Sequence, residues 1–459
     1  MQAVSYNTFC LKRHQLMMEQ PLPSYFDVVV VGTGLEESIL AAAAARNGHS
    51  VLHVDSNDQY GGEWAAYTFD GIQEWIRKQN SEDVRDEEDD PGVFQGKFCG
   101  DGEQFMPLKP ERKAKDVAQE WHVPHEEEAD QAAMNETDPK WTQDLVSKNS
   151  RKFNLDLSPR LLFSRGSMVE LLISSNVSRY TEFKSVSRVL TLIDESLVHV
   201  PSSRADVFQT RAVSVVEKRI LMKFLTLCHD LPSMSEEEAS ARIAQFKERR
   251  FREFLKHERL TDNLVHFVMH SIAMVGEEAT TQEGLAATAK FLTSLGRFGG
   301  ATPFLWSMYG AGEMPQAFCR LCAVFGGTYF LGRKIDGIVV SREEGRNVCK
   351  AIVAQGNSHI KKRYFHNSYL FQVKGCVAIS GTRINCGKLV LPVSRWPLED
   401  HAAPTAEDQF VNRRIILSSE SIMPSEKEQV RFRISWSLVS LVTIHNVKQC
   451  FFAADFPHH

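Results

Sequence analysis

The amino-acid sequence predicts an α/β protein: a sheet domain built on a βαβ dinucleotide-fold unit, with an all-helical subdomain inserted in it. Three observations carry this reading. Between Tyr25 and Asp55 the chain reads strand, glycine turn, helix, strand. From Arg204 to Leu295 helical patterns dominate, and α/β character resumes after Pro303. With 459 residues, 43% hydrophobic and 24% charged, the chain is long enough for two packed units with sizeable cores.

Taken in order, residues 1–24 read as a disordered leader ending at Pro21 and Pro23, with no long apolar h-region of a secretory signal. Residues 25–80 hold the first part of the sheet domain. The β-branched run Val28-Val29-Val30-Val31 suits a strand buried on both faces. The alanine-rich helix from Leu35 ends at Gly48, and Val51 to Asp55 forms the second strand. Residues 81–150 read as an acidic flexible insertion: Glu82 to Asp90 places seven acids in nine positions. The sheet domain continues over 151–203. The helical subdomain spans 204–296 and opens on Ser214 and Glu217, which have capping-box spacing. Val216, Ile220, Phe224 and Leu227 then recur at threes and fours, and Phe251, Phe254 and Leu255 give a later helix an apolar face. The sheet domain resumes over 297–429, with Pro315 early in a helix that stops at Gly326 and Gly327. Residues 430–459 form an atypical tail.

Composition excludes several classes. A net charge of −5 argues against a nucleic-acid surface over the whole chain. The longest apolar run, Ile434 to Ile444, is too short to span a bilayer and carries serines. Nine unevenly spaced cysteines make no disulfide framework, so a cytosolic location is expected.

The first motif gives a strong fold signal and a damaged cofactor signal. Gly32-x-Gly34 lies between strand and helix, and Asp55 ends the second strand where an acid would meet a ribose hydroxyl. The third glycine is replaced by Glu37, whose carboxylate would repel a pyrophosphate at the helix N-terminus. Tyr60-Gly61-Gly62-Glu63 resembles the Gly-Gly segment that helps shape the flavin phosphate site of flavin-dependent amine oxidases; it also suits a plain glycine turn. Cys319 and Cys322 lie two apart inside a helix and read as packing residues. His266 and His270 share a helix face, but Phe267 stands where a zincin needs Glu. No P-loop, nucleophile elbow or other convincing catalytic nucleophile is evident, and neither a metal nor a cofactor is expected.

Several stretches together resemble the GDI/Rab escort protein family: Asp27 to Ser38, Val51 to Gly62, Tyr309 to Arg320 and Phe325 to Tyr329. The resemblance covers 25–78 and 151–428. It implies a flavoprotein-like, GDI-type sheet domain whose altered glycine fingerprint holds no cofactor, and a non-catalytic protein that binds GDP-bound Rab GTPases. Tyr60, Glu313 and Arg320 would form the Rab-binding platform, and Arg297 would lie in the family's mobile loop. The acidic insertion and Phe208 with Arg219 point to the escort branch, in which such a Phe and Arg dock on the α subunit of Rab geranylgeranyltransferase. The resemblance further implies a groove for the geranylgeranyl lipid within 204–296. Leu221, Phe224, Val268, Ile272 and Phe291 are plausible liners on pattern alone, though residues of this kind are more often plain core. The expected function is that of an escort: it binds GDP-Rab, presents it to the transferase αβ heterodimer, and shields the prenylated product until membrane delivery. A Rab GDP-dissociation inhibitor and an FAD-dependent oxidoreductase remain the alternatives. After Gln429 the family pattern fades, and the tail is not expected to continue its strands.

Overall fold

The computed structural model describes residues 23–81, 91–109, 114–123, 142–186, 188–193, 196–201, 204–210, 213–235, 237–238, 243–354, 382–395, 412–418, 436–443 and 450–456. The chain forms two compact units. The first comprises Met1–Pro124, Gln143–Ser158 and Gly312–Thr405; the second comprises His125–Thr142, Pro159–Ala311 and Ala406–His459.

The first unit is built on a seven-stranded sheet. Its strands are β1 (Tyr25–Val31), β2 (Val51–Asp55), β3 (Glu103–Pro107), β4 (Thr328–Leu331), β5 (Ile335–Glu343), β6 (Arg346–Ala354) and β7 (Thr382–Val390). They lie in the order β4-β2-β1-β7-β6-β5-β3. The four strands from β4 to β7 are parallel, and the pairs β7–β6, β6–β5 and β5–β3 are antiparallel. Val29, Val30, Leu52 and Val54 are all but inaccessible, as expected of parallel strands covered on both faces. β5 and β6 are joined by Glu344 and Gly345, both at positive φ, the backbone that a two-residue hairpin turn demands.

Two helices, Leu35–Arg46 and Glu313–Val324, pack on this sheet and on each other. Ala41, Ala42 and Ala45 give the first a flat buried face, and Ser38 lies against Cys319 of the second. Small side chains therefore supply the close approach that a third motif glycine would otherwise allow. The stops fall where the sequence predicts them. Gly48 and Gly326 follow the two helices at φ +84° and +88°, and the amide of Gly327 donates to the carbonyl of Cys322 (2.9 Å).

The second unit contains the helical subdomain. The capping box of Ser214 and Glu217 is present at the start of Val215–Asp230. Phe251, Phe254 and Leu255 are buried as predicted, within Phe251–His257. His266 and His270 do not lie on one regular α-helix: a short α-helix, Asp262–His266, is continued by a π-helix, Phe267–Ile272. Thr281–Ser294 follows with its own capping box, from Thr280 and Glu283. The unit also holds a three-stranded sheet (Leu162–Phe163, Phe304–Ser307, Phe183–Ser185) and a five-stranded antiparallel sheet.

Several expectations change. Residues 159–203 and 297–311 belong with the helices, because Phe304–Ser307 pairs with strands on both its sides rather than with the seven-stranded sheet. The segment read as a flexible insertion contains the helix Pro91–Phe98 and β3, which edges the seven-stranded sheet by pairing with β5. Its acidic run and residues 1–22 lie outside the described residues. The tail contributes two strands, Trp436–Thr443 and Cys450–Phe456, which extend the sheet of Leu190–Ile193. Val216, predicted to face the core, is 69% exposed, because the first turn of its helix projects beyond the packed layer in which Phe224 and Leu227 lie.

Candidate functional site

The turn after β1 has the backbone of a dinucleotide fingerprint, but its own chain fills it. Asp55 is buried and accepts from the Thr33 amide (2.8 Å), the Thr33 hydroxyl (2.6 Å), the Asn57 amide (2.8 Å) and the Asn57 side chain (3.2 Å). The acid expected to meet a ribose is thus engaged by the protein. The Thr33 hydroxyl in turn accepts from the Gly61 amide (3.0 Å). This draws Gly61 and Gly62 onto the turn, where a Cβ on Gly62 would lie 3.5 Å from the Gly34 backbone. On the far side of the Gly61–Tyr67 segment, a Cβ on Gly312 would meet the Ala66 amide nitrogen at 2.9 Å. Gly61, Gly62 and Gly312 therefore serve backbone-on-backbone packing.

Glu37 folds back over this turn. A Cβ on Gly34 would meet its carboxylate, and its Cγ lies 3.7 Å from the Cβ position of Gly32. Burial raises the pKa of Glu37, its own backbone amide opposes this, and Glu36, Asp55 and Glu63 add repulsion. A pyrophosphate would meet that carboxylate and the same acidic surroundings. The residues present do not fit a dinucleotide. A stability test follows. A carboxyl whose folded pKa is raised stabilises the fold only while protonated, and loses that contribution as pH rises through the folded value. Glu37→Gln should match the parent in acid and become the more stable of the two as pH climbs past the raised pKa. Denaturant melts across that range check it; a glutamine variant less stable at neutral pH would show that the charge is favourable there.

Below the turn, His53 is fully buried. Its Nε2–H donates to the Gly32 carbonyl (2.6 Å), its Nδ1 lies 3.2 Å from the Tyr329 hydroxyl, and burial pulls its pKa down to about 4. The ring is neutral at physiological pH. Sequence reasoning missed it, since nothing in a strand histidine announces a partner on β4.

The predicted platform residues share the first unit. Tyr60 is half-buried and packs edge-on against Tyr329, with ring centroids 5.8 Å apart. Burial, reinforced by Cys319, pushes its hydroxyl pKa up to about 12. The Tyr329 hydroxyl donates to the Cys319 carbonyl (2.9 Å), which ties Tyr60 to the helix Glu313–Val324. That helix turns Met314, Ala317, Phe318, Leu321 and Cys322 inward. Glu313 is half-buried and Arg320, two turns on, is exposed. Cys319 and Cys322 are buried; burial lifts the Cys319 thiol to about 12 and raises that of Cys322, so both act as packing groups. No cluster of three or more candidate metal ligands occurs among the described residues.

In the second unit, Phe208 lies in the last turn of the helix Arg204–Gln209 and is 70% exposed. The Lys218 ammonium donates to its carbonyl (2.9 Å), and Arg219 is exposed on the following helix. Arg297, expected in a mobile loop, is anchored: it donates to the Ser164 carbonyl (2.6 Å) and pairs with Glu170. The five candidate lipid liners, Leu221, Phe224, Val268, Ile272 and Phe291, are at most 1% exposed, so all are core in this state. His266 and His270 meet edge to face with ring centroids 5.0 Å apart, and the His266 ring is 3.0 Å from the Thr191 hydroxyl.

The fold and the filled turn define a βαβ framework whose dinucleotide turn is occupied by the chain's own residues, and comparison with known proteins shows the family. The GDP dissociation inhibitor family matches residues 18–90 and 135–385. The chain belongs to this family. Within it, the chain is 38% identical to mouse Rab proteins geranylgeranyltransferase component A 2, over 77% of its own length and 71% of that protein. The human component A 2 is 36% identical over 77% of this chain and 67% of that protein; the Drosophila component A is 41% identical over 70% and 56%. The crystal structure of a Rab GDI from Plasmodium falciparum shares the fold, with a TM-score of 0.51 at 16% identity, covering 95% of this chain and 83% of that one. Among the described residues no helix is long and apolar enough to cross a membrane.

Proposed function

We propose that this chain is a Rab escort protein: a non-catalytic accessory component that binds GDP-bound Rab, presents it to Rab geranylgeranyltransferase and carries the prenylated product. The observation that carries the escort branch is Phe208, a large aromatic held out into solvent on the helical unit with Arg219 on the next helix. The names of the component A relatives support the same reading. Tyr60, Glu313 and Arg320 supply the GTPase-facing platform. An aromatic and opposite charges suit a polar protein interface, and preference for GDP follows if they fit switch segments not yet ordered by a γ-phosphate. A geranylgeranyl chain of about 20 carbons, at about 0.8 kcal/mol per buried CH₂, needs an apolar shelter while it travels. The helical unit offers one only if its core opens. The chain supplies no chemistry of its own; prenyl transfer belongs to the heterodimer.

The test is a reconstituted transfer assay with GDP-Rab, the transferase heterodimer and labelled geranylgeranyl diphosphate. Labelling of Rab should depend on this chain and fall to background with Phe208→Ala. Absence of transfer would remove the escort reading. Extraction of prenylated Rab from membranes would then favour a GDP-dissociation inhibitor, the reading to which the GDI fold lends support.

A further inference from the structure

Cys349 and Cys386 lie on the neighbouring strands β6 and β7, yet regular pleating would keep their side chains apart. Ile384 and Cys386, two apart on β7, face the core layer that holds Ile338, Val340 and Ile352. Ala351 and Val353 of β6 face the opposite layer, with Phe105 and Val339. Strict alternation along β6 would send Cys349 to that opposite side as well. A bulge prevents it. Against β5 the register pairs Val339 with Ala351 but Val340 with Cys349, which leaves Lys350 as the extra residue. Cys349 is thereby turned onto the side of Cys386, where it packs on the same core layer and the two thiols hydrogen bond to each other. The pair is asymmetric: Cys386 is 5% exposed, whereas Cys349 is half-buried and within reach of a small solute. The shared hydrogen bond lowers the pKa of Cys349, against the opposing effect of burial, and raises that of Cys386. Burial raises Cys99, Cys228, Cys319 and Cys322 alike, so among the described residues only Cys349 is shifted toward the thiolate, the reactive form.

We infer that Cys349 and Cys386 are a redox-modification site: a peroxide oxidises Cys349, and Cys386 then closes a disulfide between the two strands. In the first step the Cys349 thiolate attacks one oxygen of the peroxide and the O–O bond breaks. With hydrogen peroxide this leaves a sulfenic acid on Cys349 and a hydroxide, which takes up the proton the thiol gave away. In the second step the Cys386 thiol attacks that sulfur. The S–S bond forms, the S–O bond breaks, and water carries off the hydroxyl and the Cys386 proton. Two thiols lose two electrons and the peroxide gains two. Facing Cα atoms of antiparallel strands lie about 4.5–5.5 Å apart, inside the span a disulfide bridges, so the bond can close within the sheet. It would staple β6 to β7, the strand that pairs with β1 on its other side.

The test exposes the full chain to hydrogen peroxide, quenches it with acid, alkylates it with iodoacetamide in denaturant and digests it with trypsin without reductant. Two of its nine thiols should be lost. The peptides Asn347–Lys350 and Ile384–Lys388 should be found joined by mass spectrometry, and should separate again with dithiothreitol. Cys319 and Cys322, one turn apart on their helix, should stay reduced in the same digest. Cys386→Ala, which keeps that site apolar, should stop the sequence at the sulfenic acid, read as a dimedone adduct on Cys349. Cys349→Ala should yield no joined peptides and no adduct on Cys386. Recovery of both peptides alkylated from the peroxide-treated parent would overturn the proposal, as would Cys349 joined to any other cysteine. A dimedone adduct on Cys386 in the Cys349→Ala chain would overturn the assigned order of attack.

Discussion

Asp55→Ala should cost the first unit about 3–5 kcal/mol, a far larger effect than loss of one surface carboxylate. The carboxylate is 3% exposed and takes four hydrogen bonds, two of them from Thr33, which is itself fully buried. Removing it leaves the Thr33 amide and hydroxyl as buried donors without an acceptor, at about 1–3 kcal/mol each. The damage should spread. The Thr33 hydroxyl is orientated by Asp55 while it accepts from Gly61, so a freed hydroxyl loosens the Gly61–Gly62 turn that rests on Gly34. Asp55→Asn keeps one acceptor oxygen but turns an NH₂ toward the other donors, and should recover only part of the loss. Amide hydrogen exchange reads this locally: protection at Thr33, Asn57 and Gly61 should fall together in the alanine variant. Unchanged protection at Gly61 would mean that its amide is held by its second acceptor, the Thr33 backbone carbonyl (3.1 Å), without the hydroxyl.

The same residue shows what the sequence could and could not say. Its place at the end of β2 is legible, because the alternation of strand, turn and helix is written in local periodicity. Its partners are not: whether an acid at that position waits for a ribose or is consumed by Thr33 and Asn57 depends on side-chain geometry across the turn. Glu37 was readable as an obstacle, since one carboxylate at a phosphate-binding turn is wrong in charge whatever its rotamer. Long-range pairing was harder. β3 comes from a polar stretch and becomes a strand only because the edge of β5 is there to receive it. The tail strands likewise pair far away in sequence, with Leu190–Ile193. Phe208 is legible only through the resemblance. Periodicity assigned Val216 to the core, and only the three-dimensional position of the capping box shows that the first turn lies outside it.

The helical core yields the second large effect. Phe251 is completely buried, and Gly284 lies beneath its ring: a Cβ added there would fall 2.2 Å from Cγ. Glycine inside a helix costs about 1 kcal/mol relative to alanine, and here the ring is what requires it. Phe251→Ala should destabilise the unit by about 3–5 kcal/mol, and Gly284→Ala by about 1–3 kcal/mol through overpacking. The two should be strongly non-additive. In the Phe251→Ala background the added methyl enters the space the ring has left, so the double variant should be more stable than Phe251→Ala alone. Thermal unfolding of the four proteins measures the coupling; additive losses would mean that the ring escapes the methyl by shifting. Under the proposed escort function the coupling bears on lipid carriage, because Phe224 packs on Phe251 with ring centroids 6.5 Å apart and belongs to the set expected to line a lipid groove. A core this closed can admit a prenyl chain only by moving side chains that now fill it. The π-helix Phe267–Ile272, which carries Val268 and Ile272 and ends next to Met274 at φ +53°, is the strained segment of that wall. Opening should therefore begin at 267–274 and leave the Phe251–Gly284 contact in place, so the prenyl chain should change amide exchange in the former and spare the latter.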